Sequence, residues 1–180
     1  VPEIPKSPRL RILSAYRLSP LGFFGVFVAG ITTAAFRMVS PIYCKSIGLA
    51  NQETAIFLTM SLLGGFLAQI PVGWLADYFD RRWVITFLSI AAIIISLITA
   101  TAQPQTVFYL YLAAFLFGVT TFPIFSVSAA HANDFATLDS FVDLAASLIF
   151  VYALGAIASP LLVSILIEKF GSNTLFLFIA

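Results

Sequence analysis

Five uninterrupted apolar segments, at about residues 21–43, 54–76, 83–102, 106–130 and 141–167, leave this chain little choice of solvent. Each is close to or above the ~20 residues that a helix needs to cross ~30 Å of hydrocarbon. Continuous apolar runs read as helices, because barrel strands alternate over ~10 residues and only helices or closed barrels pair every backbone group in lipid. Hydrophobic residues make up 61% of the 180 and charged residues 9%, too little polar surface to cover a soluble globule. The expectation is an all-α, polytopic transmembrane helical bundle with the lipid bilayer as a partner.

Residues 1–19 hold three of the nine prolines with Lys6, Arg9, Arg11 and Arg17, and lack the pattern of a signal peptide. They read as a cytoplasmic linker ahead of a helical domain over 20–180. A sixth apolar segment starts near Asn173 and stops at Ala180, too short to span, and the first residue is a valine. The chain reads as incomplete at both ends. Ser19-Pro20 offers an N-cap followed by proline at the first helical position, and Gly171 stands where a C-cap would end the fifth segment. Ser140-Phe-Val-Asp143 has capping-box spacing, which makes Asp143 a cap before a proton carrier.

With the N-terminal side inside, Lys6, Arg9, Arg11, Arg17, Arg81 and Arg82 are cytoplasmic, and only Lys45 and Lys169 lie outside, the bias of the positive-inside rule. The His131, Asn133 and Asp134 connection is then cytoplasmic and the loop at Pro104 external. A net charge of +1 with scattered basic residues gives no footprint for nucleic acid. The single cysteine, Cys44, excludes an internal disulfide and builds no metal site alone. No nucleophile–base–oxyanion set, phosphate-binding glycine loop or metal-ligand cluster is present, so no enzyme, cofactor or metal is expected.

The run Gly73-Trp-Leu-Ala-Asp77-Tyr-Phe-Asp80-Arg81-Arg82 packs four charges into the turn after the second apolar segment. It resembles the loop signature of the major facilitator superfamily, roughly G-x-L-A-D-R-x-G-R-R/K, which follows the second helix of each six-helix half. Tyr78 stands where that signature has arginine and Asp80 where it has glycine. The resemblance implies that Gly73 permits close contact with the other half, and that Asp77, Arg81 and Arg82 belong to a cytoplasmic charge network closing the inside. The alternative is that these are solvated turn charges anchoring helix ends. The first half of the family carries an arginine four residues before a glycine in its fourth helix, and here Ala114 precedes Gly118. The chain is thus similar to a C-terminal six-helix half. Likeness to a bacterial branch runs through Gln69-Ile-Pro71-Val-Gly73 and Gly155-Ala-Ile-Ala-Ser159-Pro160. That half implies a 3+3 inverted repeat. The echo of Gly65…Pro71…Asp77-Tyr-Phe79 in Gly155…Pro160…Glu168-Lys-Phe170 agrees with it.

Polar residues within the spans are the candidates for a substrate path. Arg37 lies ~9 Å by helical rise from Tyr43, and a charge at that depth must face a cavity or snorkel outward. The resemblance lines the cavity with the first and fourth helices, which puts Thr32, Thr33, Thr120 and Thr121 beside Arg37 on the path of an anionic or carbonyl-bearing solute. Gln69 is a ligand or an interhelical hydrogen-bond partner, and Pro41, Pro71, Pro123 and Pro160 are kinks or hinges. His131, the only histidine, is a proton-coupling candidate or a helix-end contact. The functional expectation is secondary active transport of a small solute by alternating access across the bacterial inner membrane, together with a missing N-terminal six-helix half. The alternative is a non-transporting membrane module or regulatory fragment that docks on a partner.

Overall fold

The computed structural model describes residues 10–101, 106–137, 140–171 and 174–180. The leader residues 1–9, with Lys6 and Arg9, and the Pro104 loop lie outside the described residues. Seven helices follow in order among those described: α1 (Ile12–Leu18), α2 (Pro20–Ser46), α3 (Asn51–Tyr78), α4 (Arg81–Thr101), α5 (Val107–Asn133), α6 (Phe141–Phe170) and α7 (Thr174–Ile179). Helices α2 to α6 are each long and apolar enough to cross a membrane. Pro41, Pro71, Pro123 and Pro160 all lie inside these helices without interrupting them.

Local chemistry sets most of the ends. The Ser19 Oγ accepts the Gly22 N–H at 3.2 Å and Pro20 opens α2, which satisfies one orphan donor and needs no other. Gly171 caps α6 with φ +89°, a conformation that side-chain-bearing residues rarely adopt. Asp80 Oδ1 accepts the Arg82 N–H at 2.9 Å, so the acid standing where the signature has glycine opens α4. Ser140 does not form the expected capping box. Its hydroxyl turns back to the Thr137 N–H at 3.0 Å, and Asp143 instead pairs with Arg11 at 3.3 Å. That ion pair belongs to a second departure. Residues 12–18, read as linker, form helix α1, docked on α6 by this pair and by the Arg11 N–H donating to Ser147 Oγ at 2.9 Å. Ala15 is buried there with Val26, Ala132, Leu144 and Leu148. Ala15 is the one residue of this helix that is buried, and α6 and α2 supply the surface it packs on.

Helices α2 and α5 form the centre, with half of each apolar span buried, and α3 and α6 flank them. The packing is reciprocal: α3 lies on α5 as α6 lies on α2, and both α4 and α7 complete the outer layer. Bare backbone makes these contacts possible. A Cβ on Gly64 of α3 would fall on the Phe115 carbonyl of α5, and one on Gly118 of α5 would fall on the Ser61 carbonyl of α3. In the other pair, a Cβ on Gly30 of α2 would fall on the Tyr152 carbonyl of α6, and one on Gly155 would reach the Phe27 carbonyl oxygen at 2.6 Å. One constant offset maps Phe27 and Gly30 onto Phe115 and Gly118, and a second maps Ser61 and Gly64 onto Tyr152 and Gly155. This exchange of equivalent contacts is what an inverted repeat produces. It corrects the expected register: Gly64, not Gly65, corresponds to Gly155, and in the same register Asp77 and Phe79 correspond to Glu168 and Phe170 while Pro71 and Pro160 do not coincide.

Lipid offers no hydrophobic drive for helix association, so close approach through small residues and aromatic packing hold the bundle. At the end away from the α3–α4 turn, Phe36 stacks on Phe117 at 4.2 Å and on Phe57 at 5.6 Å, and Tyr43 meets Phe176 edge-on at 5.0 Å. Cys44 is buried in the same cluster and free.

Candidate gate at the α3–α4 turn

Only Phe79 and Asp80 separate α3 from α4. Asp77 and Arg81 are therefore on different helices, although they are only four residues apart. They meet across the turn. Arg81 Nη2 donates to Asp77 Oδ1 at 3.3 Å, Nη1 to Asp134 Oδ1 at 2.7 Å and Nε to the Ala76 carbonyl at 3.4 Å. One guanidinium thus ties together the end of α3, the start of α4 and the end of α5. The planar fork allows this, because its donors diverge in fixed directions and a lysine ammonium offers no such geometry.

Arg81 is three-quarters covered, whereas Asp77 and Asp134 keep 74% and 49% of their side-chain exposure. Exposed pairs of this kind contribute ~0–1 kcal/mol each. That is too little to hold five helices together. Two such pairs sum to at most ~2 kcal/mol, and ~1–2 kcal/mol is enough to tilt a two-state equilibrium by a factor of roughly 5–30. The arrangement is suited to biasing a conformation and ill suited to building one.

The remaining expected gate residues fall differently. Arg82 lines the same cleft of about 460 Å³ with Asp77, Asp80, Arg81 and His131, but its guanidinium makes no ion pair among the described residues. Gly73 lies on the α3 surface, where an added Cβ would meet nothing within 4 Å. Asp134 was not singled out from the sequence as a site residue. Its only signal was topological, since the connection that carries it had been assigned to the same face as Arg81. His131 is 6% exposed, with its ring edge-on to Phe135 at 5.3 Å.

The substrate-path candidates separate into two groups. Thr32 and Thr120 occupy equivalent positions of the two repeats, within Gly30-Ile-Thr-Thr33 and Gly118-Val-Thr-Thr121, a repeat the sequence displays openly. Both hydroxyls are spent on their own helices. Thr32 Oγ1 donates to the Val28 and Ala29 carbonyls at 3.0 and 3.3 Å, and Thr120 Oγ1 to Leu116 and Phe117 at 3.0 and 3.1 Å. Thr33 is half-buried, and Thr121 is buried with no hydrogen-bond partner among the described residues. Arg37 and Gln69 are exposed on this chain. The Arg37 guanidinium carbon lies 5.7 Å from the centre of the Phe122 ring on α5, a cation–π contact, and Phe122 in turn covers Gly65 of α3. Phe122 is a further residue that sequence reasoning passed over.

The sequence profile of the Major Facilitator Superfamily matches residues 22–180. The MFS-type transporter YcaD of Salmonella arizonae is 29% identical over 167 residues, covering 91% of this chain and 42% of that protein. YcaD of Escherichia fergusonii is 25% identical over 180 residues, 99% of this chain and 45% of the relative. YcaD of Salmonella paratyphi B is 28% identical over 167 residues, with coverages of 91% and 42%. The chain spans less than half the length of these relatives, and no solved structure matches it. The reciprocal helix packing, the charged turn after the second span and the profile match over nearly all of the bundle agree: the chain belongs to the Major Facilitator Superfamily, a transporter and not an enzyme class, and is an integral, multi-pass membrane protein.

Proposed function

We propose that this chain is the C-terminal half of a secondary transporter that moves a small solute across the bacterial inner membrane by alternating access. In this reading the domain over 20–180 packs against an N-terminal six-helix half. Gly73 presents bare backbone to a helix of that half. The end bearing Arg81 faces the cytoplasm, in keeping with the bias of basic residues. The observation that carries the reading is the Arg81 fork on Asp77 and Asp134: three helix ends are tied by contacts worth only ~0–1 kcal/mol each, as an inner gate that must open requires. Arg37 and Phe122, with Thr33, Thr121 and Gln69 as further candidates, supply the solute path, and Arg37 favours an anionic or carbonyl-bearing solute.

The test follows the gate without needing the solute. In the full-length protein with Cys44 replaced by serine, Ser126→Cys places a thiol one turn beyond Phe122 on α5, at an exposed position. Labelling by an impermeant thiol reagent is compared in inverted and right-side-out vesicles. Arg81→Ala should raise the rate from the cytoplasmic side and lower it from the other, by roughly 5–30-fold in ratio. Rates that change together from both sides, or not at all, would remove the gate and with it this reading.

A further inference from the structure

The two adjacent arginines at the start of α4 have opposite fates. Arg81 is neutralised by two carboxylates, whereas the Arg82 guanidinium has no ion-pair partner among the described residues. Arg82, His131 and Phe135 stand on the boundary between two clefts. The first is the gate cleft, which also holds Asp77, Asp80 and Asp134. The second, of about 360 Å³, is completed by Leu18, Ser19, Pro20 and Leu21 and, among the described residues, contains no carboxylate. Its lining is of two kinds: Arg82, His131 and the Ser19 hydroxyl are polar, and Leu18, Pro20, Leu21 and Phe135 are apolar.

We propose that this second cleft binds an anionic phospholipid, with the phosphate held by the Arg82 guanidinium beside His131 and the glycerol and first acyl carbons lying along Leu18, Leu21 and Phe135. The depth fits. Pro20 opens α2, Arg82 is in the first turn of α4 and His131 in the last turn of α5, so all three stand at the ends of membrane-spanning helices, where headgroups lie. The volume lies in the range of ordinary ligand sites, ~300–1,000 Å³, and exceeds what a free phosphate fills. Asp80 and Asp134 on the neighbouring side repel an anion, which confines the phosphate to the α1 side. Helix α1 adds Arg17 in its last turn, and its Leu13 and Tyr16 are exposed, 62% and 41%, in the manner of a helix lying in the interface.

The experiment is thermal unfolding of the purified full-length protein in detergent, with added phosphatidylglycerol, phosphatidylcholine or inorganic phosphate. Phosphatidylglycerol at about a hundredfold above its dissociation constant should raise the midpoint by about 3–5 °C. Phosphatidylcholine should do markedly less. Lys45→Ala, at the opposite end, should respond like the wild type. Arg82→Ala should lose the difference between the two lipids, Arg82→Lys should keep part of it, and both should unfold near the wild-type midpoint without lipid. An undiminished phosphatidylglycerol response in Arg82→Ala overturns the site. An equal rise with inorganic phosphate overturns the lipid as its occupant. Should Arg82→Ala unfold on its own, Leu21→Asn in the apolar lining serves in its place, and an unchanged response there counts against the proposal.

Discussion

Gly118→Ala tests the packing on which the whole bundle depends. Alanine is the better helix former by up to ~1 kcal/mol, so on an exposed helix the change would stabilise. Here the new Cβ would fall on the Ser61 carbonyl oxygen, with the carbonyl carbon at 2.8 Å and the Gly65 nitrogen at 3.0 Å. All of these are backbone atoms of α3, and none can rotate away. Restoring a normal separation of ~3.5–4.0 Å from the Ser61 oxygen requires the two helices to part by roughly 2 Å, which loosens every contact along their length. Overpacking costs ~1–3 kcal/mol, and a rigid neighbour places this site at the upper end, so the net loss is ~2 kcal/mol. For a domain of this size that is roughly 4–8 °C in the unfolding midpoint, followed by helical circular dichroism of the purified protein in detergent. Gly30→Ala, its counterpart against the Tyr152 carbonyl, should cost about the same, and the double variant about the sum, because the two contacts share no residue. Gly73→Ala, with open space around it, should be neutral or gain up to ~1 kcal/mol in the 180-residue chain. A Gly118→Ala variant as stable as the wild type would show that α3 and α5 do not approach through this glycine.

Arg37→Leu should weaken solute binding by the full-length protein and Arg37→Lys should retain part of it, because lysine keeps the charge but loses the fork; normal affinity for Arg37→Leu, measured beside thermal stability, would assign Arg37 to the interface instead. For orientation, Arg81→Cys and Lys45→Cys in a background lacking Cys44 should label from opposite faces of intact cells and inverted vesicles, and labelling of both from one face would defeat the helix count.

What the sequence determined by itself was whatever depends on composition and neighbours along the chain. The five apolar runs had to become helices, because hydrocarbon leaves no other partner for the backbone of a continuous apolar segment. Ser19 and Gly171 acted as caps for reasons contained within a few residues. The charged turn at Asp77–Arg82 was legible as a motif, and so was the family likeness it carries. The contacts between helices were decided only by the tertiary structure. One residue turns a helix by about 100°, so no local pattern could choose Gly64 over Gly65 as the close contact. Asp134 reaches Arg81 because α5 packs between α3 and α4, which brings together groups far apart in the chain. Asp143 was claimed by Arg11 and not by Ser140, because α6 offered α1 a surface that no reading of either segment alone contains. Spans and caps follow from the energy of one segment in its solvent; the Arg81 ion pairs, the Arg37–Phe122 contact and the register follow from how those segments rotate against one another.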